Sequence, residues 1–218
     1  MKHDPAVFWD ARYREPGFAY GEAANDFLVE VADQIPPGPV LCLAEGEGRN
    51  AVFLARRGHD VTAVDLSAVG LAKAAALAQR HGVSLHTIVA DLASWPLPTA
   101  RFSAIVSIWC HVPPSVRRRL HKDVVTALAP GGVFVLEAYR PGQERRGTGG
   151  PPDPALMMTA AELREDLAGL EILTARDVVR AVHEGPFHEG DSNVVQLLAR
   201  AAATSWGATV AEYRARSG

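Results

Sequence analysis

Two cysteines are too few for a disulfide framework, and both, Cys42 and Cys110, lie in apolar, strand-like runs that suit buried, reduced thiols. Long apolar stretches are absent: none approaches the roughly 20 residues of a membrane span. The opening MKHDPAVFWDARY has no apolar signal core. These absences lead to the expectation of a cytoplasmic chain with no membrane partner. Basic excess is missing as well. The 22 Lys and Arg face 25 Asp and Glu, giving a formal charge of -3 and a pI near 6.2. That is no electrostatic footprint for nucleic acid. The densest basic run, Arg117-Arg118-Arg119 with His121 and Lys122, falls in a helical pattern and reads as a solvated face. Strict metal-ligand spacing is lacking. His183 and His188 flank a turn with Glu184, Glu189 and Asp191, and no metal is expected there.

What is present is organised around residues 40–51, VLCLAEGEGRNA. A short apolar run meets glycines at 46 and 48, and an apolar pattern at helical spacing follows. That reads as strand, tight turn, helix. Glycines there allow a sharp turn and close approach of a ligand. Gly46-Glu47-Gly48-Arg49-Asn50-Ala51 fits GxGxxA, a dinucleotide fingerprint. The charge argues otherwise. Glu45 and Glu47 interleave with the glycines where a pyrophosphate would meet the helix N-terminus. Carboxylates in that place repel phosphate and suit a cation.

The 218 residues, 48% hydrophobic, suffice for one well-buried domain. Five aromatics, Phe8, Trp9, Tyr13, Phe18 and Tyr20, crowd the first twenty residues. They suit a short amphipathic helix that either packs on the surface or covers a ligand. Asn25 is placed to cap a helix to about Ile35, and Pro36-Pro37-Gly38-Pro39 stops it. Strands are expected at 40–44, 61–65, 83–90, 102–109 and 133–139, the last after a Pro130-Gly131-Gly132 turn, with helices between them. Asp65 and Asp91 fall at the ends of the second and third strands. An acid at the second tip reaches ribose hydroxyls; the other reading of Asp65 is a cap on the next helix, a job for which Ser67 competes. Asp91 can accept from an adenine amino group or hold a turn. Residues 140–154, RPGQERRGTGGPPDP, read as a long mobile loop, either a surface excursion or a cover on the substrate side. Thr159 and Glu162 have capping-box spacing. Residues 170–183 and 192–200 form a hairpin, and 201–218 is a tail that forms a helix or frays.

The alternation of strands and helices, the acids at the strand tips and the terminal hairpin resemble class I S-adenosylmethionine (SAM)-dependent methyltransferases. Leu41-Cys42-Leu43-Ala44-Glu45-Gly46-Glu47-Gly48 corresponds to the family's first motif, with Cys42 in place of an acid and Ala44 in place of the first glycine. Pro130-Gly131-Gly132 matches its turn before strand five. Phe8-Trp9-Asp10-x-Arg12-Tyr13, Tyr20-Gly21 and Gly185-x-x-His188 resemble the tellurite-resistance and thiopurine methyltransferase-like branch. The resemblance implies a single-domain α/β, Rossmann-like fold. Its sheet would have seven mostly parallel strands and a C-terminal antiparallel hairpin, with helices on both faces. Within that domain, residues 1–36 would be an aromatic lid and helix, 37–200 the SAM-binding core and 201–218 the tail. It implies a SAM site at Tyr20, Asn25, Ala44, Glu45, Gly46, Glu47, Gly48, Arg49, Asn50, Asp65, Leu66, Ser67, Asp91, Leu92 and Ile108. In that branch the N-terminal aromatics cover the cofactor.

Tyr13, Arg14, Glu137, Tyr139, His111 and His188 are the acceptor-side candidates. His111 follows strand four and titrates near neutrality, so it is the candidate general base; a helix-entry histidine bonded to backbone is the other reading. The expected activity is methyl transfer to a small molecule, a thiol or chalcogen species among the options, by a monomer or homodimer. The chain shows no added domain that would recognise a protein substrate. Two rivals stay open: a SAM-binding protein without catalysis, and a nicotinamide-dependent oxidoreductase that would share GxGxxA and Asp65.

Overall fold

The computed structural model describes residues 4–203. Helix α1 (Pro5–Arg14) begins behind Asp4, whose carboxylate accepts the Ala6 N–H. Helix α2 (Asp26–Val31) is capped by Asn25, which accepts from the Leu28 N–H at 3.1 Å. The proline-rich stretch then delivers the chain into β1 (Pro39–Leu43). Next come α3 (Arg49–Arg56), β2 (Asp60–Asp65), α4 (Ala68–Arg80), β3 (His86–Val89), β4 (Phe102–Ile108), α5 (Pro114–Ala127) and β5 (Leu128–Tyr139). Helix α6 (Ala160–Asp166) opens on the Thr159–Glu162 capping box, and the hairpin β6 (Glu171–His183) and β7 (Glu189–Arg200) follows.

The seven strands lie in the order β3-β2-β1-β4-β5-β7-β6. All neighbours through β5 are parallel; β7 is antiparallel to both β5 and β6. Strand β4 is buried at every position, as its continuous apolar run requires of a strand covered on both faces. On one face Phe27, Leu28, Leu54 and Leu71 of α2, α3 and α4 pack against Val40, Cys42 and Val106. On the other, Leu120, Val124 and Leu163 of α5 and α6 pack against Leu41, Ile105 and Phe134. The chain winds from β1 toward β3 on one side and returns to β4 and β5 on the other. A crevice therefore opens at the carboxyl ends of β1 and β4, where ligands of such sheets bind.

Several expectations are corrected. Strand β3 spans only four residues and is largely exposed. Val83 and Leu85, which suggested a longer strand, pack under α3 and α4 instead. Strand β5 starts at Leu128. Phe102 pairs with Leu128 and Ala104 with Val133, so the Pro-Gly-Gly residues bulge within the strand. Arg117 is buried, not solvated: it pairs with Asp166 at 2.9 Å and Glu162 at 3.1 Å, tying α5 to α6. The loop after β5 is packed rather than loose. The buried Gln143 donates to Thr148 Oγ1 at 2.9 Å and the Gly149 carbonyl at 3.0 Å, and it accepts the Asn193 N–H at 2.7 Å. The expected tail lies, beyond residue 203, outside the described residues. Among the described residues, no helix is long and apolar enough to cross a membrane.

Candidate functional site

A cavity of about 790 Å³ fills the crevice. Its floor is the ends of β1, β2 and β4 with the turn at 90–93; its walls include α1, Tyr20, Gly149 to Pro152 and the hairpin tip at Phe187 and His188.

The glycine loop shapes the floor indirectly. Ala44, where the resembling motif has glycine, holds a left-handed backbone with φ 50°. That costs an alanine about 1 kcal/mol. Gly48, at φ 92°, lets two helices meet: a Cβ there would lie 2.5 Å from the Cβ of Ala74 on α4. Gly46 is covered by Tyr13, whose hydroxyl would be 2.6 Å from an added Cβ. Neither Gly46 nor Gly48 lines the cavity. Their smallness serves packing against Tyr13 and Ala74.

The acids sit where the strand tips put them. Glu45 accepts the Ala51 N–H at 2.8 Å, on the first turn of α3. Burial pushes its carboxyl up to about 7, against the opposing pull of that N–H and of Arg49. Glu47 accepts from Lys73 Nζ at 2.8 Å and from the Ala19 N–H at 2.7 Å, so it fastens the N-terminal segment to the loop. Asp65 takes the Gly46 N–H on one oxygen and the Ser67 N–H on the other, both at 2.8 Å. Each oxygen keeps capacity for one more hydrogen bond. Burial raises its carboxyl above the usual range. Asp91 is exposed and accepts the Ala93 N–H at 2.8 Å. Tyr20, Ala44, Arg49, Asn50, Leu66, Leu92 and Ile108 also line the cavity.

Other expected site residues lie behind the wall. Asn25 is fully buried, donating through Nδ2 to Glu137 and Glu184 at 2.8 Å each. Ser67 caps α4 and donates to Asp10. Glu137 is buried in a charged network with Arg180 and Gln196, and Arg180 also meets Glu184 at 3.1 Å. Arg49 closes that network on Glu184 at 2.5 Å, and the Trp109 indole N–H donates to the same carboxylate. Arg14 points to solvent, 3.8 Å from Asp10. Tyr139 is buried and stacks on Trp109 at 4.3 Å. Of the acceptor-side candidates, Tyr13, His111 and His188 line the cavity.

The base expected at His111 is not free. Nδ1 lies 3.2 Å from the Leu156 carbonyl, and Nε2 accepts the Tyr139 N–H at 3.3 Å. Burial brings its pKa down to about 4. Both nitrogens serve backbone groups, so the imidazole fastens the β4 tip to β5 and the following loop. Trp9 and Arg12 of the N-terminal aromatic motif, and Gly149 to Pro152 of the loop expected as a substrate-side cover, line the cavity; Trp109 and Phe187, also on its wall, are not among the expected site residues. Trp109 directly follows a strand aimed at the site, a signal that could have found it. The approach of Phe187 depends on long-range folding that spacing does not reveal.

Fold and cavity together define a Rossmann-like architecture with its ligand crevice at the carboxyl ends of β1 and β4. Residues 40–132 match the family model described as a methyltransferase domain. A 2-heptyl-1-hydroxyquinolin-4(1H)-one methyltransferase of Mycobacteroides abscessus is 26% identical over 57% of this chain and 56% of its own length. A tRNA 5-carboxymethoxyuridine methyltransferase of Escherichia coli K12 is 36% identical over 46% of this chain and 40% of its own. The chain thus spans about half the length of the curated relatives it matches. A structure solved for the conversion of a disulfide bond into a thioacetal group during echinomycin biosynthesis superposes with a TM-score of 0.76 at 20% identity, covering 99% of both chains. TehB from Haemophilus influenzae superposes at 0.70, with 20% identity, over 90% of this chain and 66% of TehB. The Burkholderia thailandensis 1,6-didemethyltoxoflavin-N1-methyltransferase, solved with S-adenosylhomocysteine, gives 0.59 at 23% identity, over 81% of this chain and 76% of its own.

Proposed function

We propose that the chain is a SAM-dependent methyltransferase acting on a small-molecule acceptor. The observation that carries this reading is the carboxylate of Glu45 seated on the first turn of α3, beside a cavity that Asp65 and Asp91 also line. A dinucleotide needs that helix N-terminus for its pyrophosphate; here an acid fills it. The donor set fits SAM instead. Asp65 has one open acceptor position on each oxygen for the ribose hydroxyls. Asp91 is open to an exocyclic amine, with Leu66, Leu92 and Ile108 as apolar neighbours. Glu45 suits a cationic group.

When bound, SAM supplies an electrophilic methyl on a positively charged sulfur. The chain's own part is alignment and exclusion of water. Trp9, Tyr13 and Tyr20 cover the glycine loop side. His111, with both ring nitrogens committed to backbone, is not available as a base, which favours acceptors that ionise readily. The similarity to TehB, together with the N-terminal aromatic motif, supports the tellurite-resistance and thiopurine methyltransferase-like branch. A net charge of -3 favours a small molecule over nucleic acid.

The test is acceptor-dependent conversion of SAM to S-adenosylhomocysteine by the purified chain. Turnover supports the enzyme. Tight SAM binding with no turnover on thiols, phenols, amines or chalcogen oxyanions would leave a silent binder and overturn the catalytic part.

A further inference from the structure

The methyltransferase reading leaves one group of the cofactor without a partner. The amino-acid end of SAM carries an ammonium and a carboxylate on the same carbon. Glu45 suits the first. A carboxylate that leaves water costs free energy unless a cation or several N–H groups receive it.

Two arginines line the cavity, Arg12 and Arg49. Arg49 is buried and already neutralised: it pairs with Glu184 at 2.5 Å and donates to the Ala23 carbonyl at 3.0 Å. Lys73, beside the glycine loop, spends its ammonium on Glu47 at 2.8 Å, the Glu15 carbonyl at 2.9 Å and the Gly17 carbonyl at 2.7 Å. Burial keeps His111 and His188 neutral, with pKa values brought down to about 4 and about 3. Arg12 stands apart from these. Among the described residues it pairs with no carboxylate, and its side chain donates to a neutral group, the Tyr20 hydroxyl, at 3.3 Å. A guanidinium carries five N–H donors, so most of the fork is unspent.

The fork is also held in place. Its central carbon lies 3.9 Å from the centroid of the Phe187 ring and 5.2 Å from that of Phe8. Rings at those distances attract the cation and limit its rotamers. The Tyr20 ring that it meets lies 6.4 Å from the Tyr13 ring, and the Tyr13 hydroxyl covers Gly46. Two adjoining rings therefore link the fork to the glycine loop that carries Glu45.

We infer that Arg12 is the carboxylate anchor of the cofactor site, receiving the amino-acid carboxylate of SAM or S-adenosylhomocysteine on its guanidinium fork. The inference rests on the methyltransferase reading and adds a binding residue to the same site. Glu45 and Arg12 divide the zwitterion between them, the acid taking the ammonium and the guanidinium the carboxylate.

The test is calorimetric titration of the full chain with S-adenosylhomocysteine and with its primary carboxamide, in which only the carboxylate is neutralised. We expect the wild type to bind S-adenosylhomocysteine at least roughly tenfold more tightly than the carboxamide, the factor expected of a hydrogen bond to a charged group. Arg12→Gln should bring the two within about twofold of each other. Should that variant not fold, Arg12→Lys, which keeps the charge without the fork, should narrow the same preference. Equal binding of the two nucleosides by the wild type would overturn the anchor. So would a preference kept in the variant, even with both affinities lowered together, as a purely structural role would produce. A carboxylate supplied by the acceptor would show otherwise: benzoate would bind the wild type saturated with S-adenosylhomocysteine but not saturated Arg12→Gln, with the carboxamide preference unchanged. That result would overturn the assignment to the cofactor. Failure of the wild type to bind either nucleoside would overturn the methyltransferase reading first.

Discussion

The Glu45 carboxylate accepts the Ala51 N–H at 2.8 Å, across the turn that joins β1 to α3. A buried acid thus occupies the helix N-terminus that a nucleotide-binding loop leaves open for phosphate. The charge of the site turns on this contact.

Glu45 should make both stability and ligand affinity depend on pH. Its folded pKa, about 7, is raised from an ordinary 4.5 by burial. The folded state then holds more protons than the unfolded one between those values. Stability from this group falls as pH rises from 4.5 through 7. Glu45→Gln removes that loss while keeping an acceptor for Ala51. It should be the more stable protein at pH 8, by about 1–3 kcal/mol, and equal to wild type near pH 4. Thermal melts across that range decide it; a gap independent of pH would refute it. SAM should also bind wild type more tightly at pH 8 than at pH 6, because a cation favours the ionised acid.

Breaking the Arg49–Glu184 pair should be costly. Burial raises the Glu184 carboxyl, but Arg49, the Trp109 indole N–H and Arg180 outweigh it and hold it below the usual range. Its stabilisation is present above the unfolded pKa and is lost as pH falls through the lower folded value. Glu184→Ala leaves the buried Arg49 guanidinium with only the Ala23 carbonyl, while Arg180 keeps Glu137 and Asp26, and should cost about 3–5 kcal/mol near neutrality. Urea denaturation at pH 7 and pH 3.5 should show a smaller cost at the lower pH.

His111 is expected to behave as a structural residue. His111→Ala removes bonds to the Leu156 carbonyl and the Tyr139 N–H and should destabilise the chain by about 2 kcal/mol. Any activity should fall by the same factor with a thiol as with a phenol. A selective loss on the phenol would restore the base.

Gly48→Ala tests the reading of the glycine loop. The new Cβ meets Ala74 at 2.5 Å on a left-handed backbone, which should cost about 2–4 kcal/mol. Ala74→Gly in the same chain should recover part of it. An unaffected melting temperature would return Gly48 to the role of ligand approach.

Much of the fold was legible because it follows from local chemistry. The apolar run at 40–44, the Thr159–Glu162 capping box and the continuous strand at 102–108 each announce one element. The strand-tip acids were legible too, since their spacing follows from the alternation itself. What stayed hidden depends on partners distant in sequence. Arg117 looks like surface charge until Asp166 arrives from α6. Glu137 and Asn25 look like site residues until Glu184 and Arg180, on the hairpin, enclose them. His111 has the right position for a base, but its neighbours Leu156 and Tyr139 belong to other segments.

The most direct measurement is parallel calorimetric titration of the purified chain with SAM, S-adenosylhomocysteine and NAD. The account predicts binding of the first two and none of NAD, with Asp65→Ala weakening both by about 2 kcal/mol. Binding of NAD alone would contradict the role given to Glu45, and the proposed function with it.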